Sequence, residues 1–381
     1  MVRLYSPLVL CKVILTMKVR LPLSTVTASP NAAVAPDAGV RARPRGLVRG
    51  RSGLALGLAA AVLVLVLVSL ASLAVGSRSI PLGSVVEALT DGDPDNREHL
   101  IVRDLRGPRT LIGLMVGAAL GLSGVLLQGL TRNPLADPGI LGISAGAALA
   151  AAASVLFLGL GSVYGYIWFA FAGAALGGVL VYAVGSMGRD RSSPIKLALA
   201  GAAVTAIMTS LTTLILLLDL ATLDVLRFWL VGSLAGRGLT VAGQVWPFIL
   251  AGAATALLLG RLLNALSLGD DAARSLGVRL AGARALVGIS AIVLAGAATA
   301  AAGPIVFVGL TIPHLVRAIT GPDYRWVLPY SAVLAPVLLI GSDIVGRILA
   351  RPAELQVGIV TAFIGGPFFV ALVRRRKLAE L

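Results

Sequence analysis

Ten apolar runs fill the chain from residue 53 onward, and they constrain its fold more than any other feature. A helix crossing the hydrocarbon core of a bilayer needs roughly 20 apolar residues. In lipid the backbone N–H and C=O groups have no water to bond, so such runs close their hydrogen bonds internally as helices. The expected spans are 53–75, 107–130, 139–158, 164–187, 194–218, 239–262, 282–302, 304–319, 326–349 and 356–373. Charged residues make up 13% of the chain, against about 25% in a soluble domain. The expected fold class is therefore all-α, a polytopic membrane protein with about ten transmembrane helices. Residues 51–377 form the transmembrane domain, 1–50 a disordered basic N-terminal tail and 378–381 a short C-terminal tail.

Charge orients these spans. Arg41, Arg43, Arg45, Arg49 and Arg51 precede the first. Arg132, Arg189, Arg191, Arg261, Arg274, Arg279, Arg325 and the run Arg374–Lys377 then fall in loops on the same side. The long loop 76–106 on the other side carries Glu87, Asp91, Asp93, Asp95, Glu98 and Asp104. Basic loops stay cytoplasmic, so both termini are expected inside a bacterial cell membrane. The net charge of +15 follows from these loops and does not imply nucleic-acid binding.

Small residues recur one helical turn apart at Gly113, Gly117 and Gly121, at Gly142 and Gly146, and at Gly173 and Gly177. Each set allows a second helix to approach closely. Packing within one subunit and a homodimer seam both fit. Arg106-Gly-Pro-Arg109 before the second span is echoed by Arg279-Leu-Ala-Gly-Ala-Arg284 before the seventh, which fits two related halves.

The chemistry the chain lacks is as informative. Its lysines are Lys12, Lys18, Lys196 and Lys377, and none follows a glycine, so it has no phosphate-binding P-loop of its own. Cys11 stands alone, and His99 and His314 lie far apart, so no catalytic, metal or bound-cofactor site is expected. The spans hold almost no ionisable groups of the kind an ion-coupled carrier keeps near the midplane. Asp343 is the main exception, and Arg347 one turn later can neutralise it. An ion-coupled carrier acting alone stays open as an alternative, but a transporter with neither relay nor ATP site draws energy from a partner.

Three stretches are specific. One runs from Arg106-Gly-Pro-Arg109 through Gln128 into Arg132-Asn-Pro-Leu-Ala-Asp-Pro-Gly-Ile-Leu-Gly142. The others are Leu268-Gly-Asp-Asp-Ala-Ala-Arg-Ser-Leu-Gly277 and Gly303-Pro-Ile-Val-Phe-Val-Gly-Leu-Thr-Ile-Pro-His-Leu-Val-Arg317. Together they closely resemble the FecCD family of ABC importer permeases, over residues 53–377. The resemblance implies a type II ABC importer permease for iron(III)–siderophore complexes, with cobalamin or haem as alternative cargo. It implies a homodimer or a heterodimer with a paralogue, two cytoplasmic ATPases that use ATP and Mg, and an extracytoplasmic substrate-binding protein.

It also implies residue roles. Arg106, Arg109 and Arg347 would dock the binding protein. Leu268, Gly269, Asp270, Ala273, Leu276 and Gly277 would form the ATPase coupling loop, with Ala272, Ala273 and Leu276 on one side of a short helix between the two glycines. Ser192, Ser193 and Pro194 would form the inner gate, and Thr205 and Thr209 would line the path. Asn133, Pro134, Leu135, Ala136, Pro138, Gly142, Pro313, His314 and Asp343 would be structural motif positions. The chain departs from the family pattern at Gln356, where a proline is common, and at Tyr324, where a histidine is common.

Overall fold

The computed structural model describes residues 46–48, 50–76, 78–187 and 194–374. The gate residues Ser192 and Ser193 and nearly all of the expected tail lie outside them. Where the tail meets the domain, Leu47 N and Val48 N donate to the carbonyls of Ala318 and Ile319 at 3.2 and 3.1 Å.

Among the described residues, ten apolar helices follow. Helix α1 is Arg51–Ala74. The long loop after it folds into α2 (Leu82–Thr90) and α3 (Arg97–Leu100), and a π-helical turn, Ile101–Arg106, leads directly into α4 (Gly107–Thr131). A 3₁₀ turn at Pro138–Leu141 precedes α5 (Ile143–Leu158), and α6 (Val163–Gly185) returns. Next come α7 (Pro194–Leu218), the short α8 (Leu220–Leu230) and α9 (Leu239–Leu258). Two small helices, α10 (Gly260–Ser267) and α11 (Asp270–Ser275), join α9 to α12 (Leu280–Ala302). The chain ends with α13 (Val308–Thr320), α14 (Tyr324–Leu349) and α15 (Val357–Arg374). Seven of the ten are long and apolar enough to cross a bilayer; α5, α13 and α15 are shorter apolar helices. All ten fall within a few residues of the spans read from hydropathy.

Burial ranks the helices. In its most apolar stretch α4 is 78% buried, whereas α1 and α7 are 11% and 17% buried, so α4 is the central post and α1 and α7 lie at the edge. The glycine sets explain how neighbours reach α4. A methyl group on Gly117 would sit 2.5 Å from Pro336 Cα, and one on Gly121 2.7 Å from the Ser331 carbonyl, so this stripe holds α14. Gly142 and Gly146 face Gly177 and Gly173 across the α5–α6 crossing. All three sets are used within one subunit, which removes the homodimer-seam alternative for them.

The connection from α4 to α5 shapes the interior. Arg132 ends α4 in the left-handed region at φ 50°, and the chain turns back beside α4 rather than continuing outward. A methyl on Gly309 would lie 3.0 Å from the Leu120 carbonyl and 3.3 Å from Pro138 Cδ. Pro138 therefore lies near the Leu120–Gly124 stretch of α4 rather than beyond its end. Irregular backbone at such a depth persists only where it is buried in protein or lines a cavity.

Candidate functional site

Past the last turn of α1 the carbonyls of Leu73, Ala74 and Arg78 take side-chain donors, Ala74 O in addition to Ile80 N at 2.9 Å. Arg106 supplies them, with Nη1 donating at 2.7 and 2.8 Å to the first two and Nη2 making a short bond to the third. Arg347 supplies the rest, donating to Ser72 O at 2.9 Å, Val75 O at 3.2 Å and Ser72 Oγ at 2.6 Å. Asp343 sits between two arginines. Arg347 Nη2 is 2.9 Å from its Oδ2, and Arg109 reaches it through Nη2 at 2.7 Å and Nε at 3.0 Å. Arg109 Nη1 also binds Glu354 at 2.6 Å.

The three arginines expected to dock a binding protein also bind groups within the chain itself. Arg106 and Arg347 are only 7% and 2% exposed, so they are not free surface cations. They cap α1 and fix α4 against α14. With Arg78, Arg237 and Glu354 they line a cleft of about 450 Å³, whose wall is positive on balance.

A second cavity, about 780 Å³, opens between α5, α7, α13 and α15. The expected path residues Thr205 and Thr209 are on its wall, with Thr212 and Thr213 beside them. Thr212 and Thr213 turn their hydroxyls back to Met208 O and Thr209 O at 2.8 and 2.9 Å, so they show the cavity their methyls. Thr205 Oγ1 has no such bond. Phe307 forms part of the opposite wall at φ 70°, a left-handed conformation that is costly for an aromatic residue. Gly365 packs directly on its ring, which α15 could not do with a side chain there. Pro194 starts α7, at the end of a segment outside the described residues.

Asp137 also lies on this wall. The sequence reading passed over it inside its own motif. The available signal was a carboxylate in an otherwise uncharged run between two spans. Its Oδ1 accepts from Gly139 N at 2.8 Å and caps the 3₁₀ turn.

The loop between α9 and α12 is built as expected in part. Gly269 and Gly277 bound α11 with φ values of 107° and 81°, which only glycine adopts easily. Ala273 is fully buried against the bundle, while Leu268 and Leu276 are 51% and 63% exposed. The expected single apolar side is thus split: Ala273 anchors α11, and the two leucines face away. Asp270 ties the loop down. Arg284 Nη2 contacts both its oxygens at 2.8 Å, and Arg132, which also donates from Nε to Leu266 O at 2.9 Å, makes a short ion pair with it. Burial alone would raise the Asp270 pKa, but the Arg132 hydrogen bond and the charges of Arg284 and Arg132 outweigh it, holding this carboxyl below the ordinary range.

A profile of the FecCD transport family matches residues 56–375. The chain belongs to the FecCD transport family. It is 48% identical over 307 residues to the ferric enterobactin transport system permease protein of Escherichia coli (strain K12), covering 80% of this chain and 91% of that one. A probable siderophore transport system permease protein of Bacillus subtilis (strain 168) is 43% identical over 80% of this chain and 91% of its own length. The cobalamin import system permease protein of Halobacterium salinarum is 37% identical over 76% of this chain and 77% of its own. Among solved structures, a chain described as a metal-chelate type ABC transporter in an inward-facing conformation matches with a TM-score of 0.72 and 30% identity. That match covers 84% of this chain and 99% of the other.

The FecCD motif positions have physical jobs in this fold. Asn133 Oδ1 accepts from Leu135 N at 2.9 Å, and Ala136 N donates to Asn133 O at 3.1 Å, forming the turn that carries Pro134, Leu135 and Pro138 back along α4. Gly142 starts α5 at φ 72°. Pro313 is buried within α13, and His314 stacks edge-on against Phe368 of α15 with ring centres 6.1 Å apart. Among the described residues no three of His, Cys, Asp or Glu gather as a metal site.

Proposed function

We propose that this FecCD member is the membrane-spanning permease subunit of an ATP-driven importer for iron(III)–siderophore complexes. The observation that carries the cargo class is its 48% identity, over most of both chains, to a permease named for ferric enterobactin. A permease for cobalamin is the second reading, because a relative at 37% identity carries that name.

In this reading a loaded binding protein docks over the outer cleft, where arginines outnumber carboxylates and Arg can grip a carboxylate with two N–H groups. The cavity beside α7 is part of the translocation path. The exposed Leu268 and Leu276 fit into two cytoplasmic ATPase subunits, which bind ATP and Mg and hydrolyse the ATP. Asp270 links this loop to Arg132 at the end of α4 and Arg284 at the start of α12, so a push on α11 reaches both helices. Two permease chains, identical or closely related, enclose the path. The chain itself performs no covalent chemistry, and both termini face the cytoplasm.

The test is purification of the tagged full chain from its native membrane, with mass spectrometry of what accompanies it. An ATP-binding-cassette ATPase should be recovered and should be lost from Leu268→Asp plus Leu276→Asp. Recovery of the chain without any ATPase would contradict the reading.

A further inference from the structure

The short helix α2 has three different sides. Val85 and Ala88 are buried, in one apolar cluster with Leu73 and Ala74 of α1, Ile80 and Val102. Ser84, Glu87 and Thr90, spaced three apart, form a polar side. Leu82, Val86 and Leu89 stand at i, i+4 and i+7, so they share the third side, and each is more than half exposed. Water is served by the polar side, which leaves this apolar one to be covered by something else.

Where α2 sits follows from α1. One face of α1 carries the buried Leu54, Ala61 and Ser72 and packs on α14, where Leu54 O accepts from Tyr330 and Ser72 O from Arg347. The opposite face exposes Leu63, Val66, Leu67 and Leu70, again at helical spacing. On a span, such a face meets acyl chains. Ala74 follows Leu63 by eleven residues, about three turns, so it points the same way. Ala74 is nevertheless buried, by the cluster to which α2 contributes Val85 and Ala88. The loop holding α2 therefore folds over the lipid-facing side of α1, and the third side of α2 takes up the apolar strip where α1 loses it. At 24 residues α1 is about 36 Å long against a hydrocarbon core of about 30 Å, so its last turn lies at the headgroup boundary.

We propose that α2 is a membrane-surface helix, seated on the bilayer beside the end of α1 with Leu82, Val86 and Leu89 against lipid. Helices of this kind sink their apolar side about 5–10 Å into the boundary between headgroups and acyl chains. Glu87 within α2 and Asp91, Asp93 and Asp95 just after it give anionic headgroups no attraction, so apolar contact carries the binding. The bilayer, not a docked protein, covers this side of the loop.

The test measures what each side of α2 touches. The full chain is reconstituted in phosphatidylcholine proteoliposomes with its single cysteine replaced, Cys11→Ser. A nitroxide is attached in turn at Leu82→Cys, Val86→Cys, Leu89→Cys and, on the polar side, Glu87→Cys. Collisions with oxygen, which concentrates in lipid, are compared with collisions with a water-soluble nickel chelate present on both sides of the membrane. The oxygen-to-nickel ratio should be several-fold higher at residues 82, 86 and 89 than at 87. Transfer to detergent-free nanodiscs of the same lipid should preserve that pattern. Ratios at residues 82, 86 and 89 no higher than at 87 would place the apolar side in water and overturn the proposal. Protection of these three from both reagents would overturn it as well, because a protein surface such as a second copy of the chain would then cover them. Three independent label sites keep the comparison readable if one substitution disturbs the loop.

Discussion

Asp343 shows how few ionisable groups a bilayer-spanning bundle holds and how tightly each is used. One carboxylate, 2% exposed, pairs with Arg347 on its own helix and with Arg109 on α4, and Glu354 supplies the second negative charge. Removing one member of a buried pair leaves an uncompensated charge and costs about 3–5 kcal/mol. Asp343→Ala should therefore lower the thermal midpoint of the detergent-solubilised protein sharply. Glu354→Ala should have a much smaller effect, because Glu354 keeps 31% of its side chain exposed and a surface ion pair contributes about 0–1 kcal/mol. Equal shifts for the two variants would contradict the assignment. The Asp343–Arg347 half of this cluster was legible in the sequence, since i and i+4 share a helix face. Arg109 was not legible as its partner, because 234 residues separate the two and only the packing of α4 on α14 joins them. The same distance effect hid the inward role of Arg106: it reads as an outer cation until the end of α1 comes to rest beneath it.

At the scale of elements, the α9–α12 connection acts as a bracket. Asp270 binds Arg132 and Arg284, and its depressed pKa keeps it ionised throughout neutral pH. A carboxylate whose folded pKa is lowered contributes above its unfolded value, about 3.9, and loses that contribution only as pH falls below it. Anchoring should thus be constant between pH 6 and 9. Asp270→Asn should release α11 across that whole range, raising tryptic cleavage at the exposed Arg274 several-fold. An unchanged cleavage rate would show that the loop does not depend on this bracket. The glycines that bound α11 were legible, because a positive φ is needed at both ends. Its facing was not: a six-residue helix has too few positions for periodicity to say that Ala273 turns in and Leu276 turns out.

At the scale of the molecule, the ten apolar helices were legible because length and hydropathy are all that a bilayer demands of a span. Their burial order was not, since α1 and α4 are both strongly apolar yet one is peripheral and the other central. The second cavity was equally hidden. It depends on the chain folding back after Arg132, and no local pattern distinguishes that turn from an ordinary loop. The proposed reading assigns the energy supply to a partner ATPase, the chain carrying no P-loop of its own. The most direct measurement is transport in proteoliposomes containing this chain with its permease partner and binding protein, with and without the ATPase subunits. Accumulation of the ferric chelate against its gradient should require the ATPase and ATP, and should survive collapse of ion gradients by an ionophore. Uphill accumulation by the permease without the ATPase, abolished by the ionophore, would contradict the account.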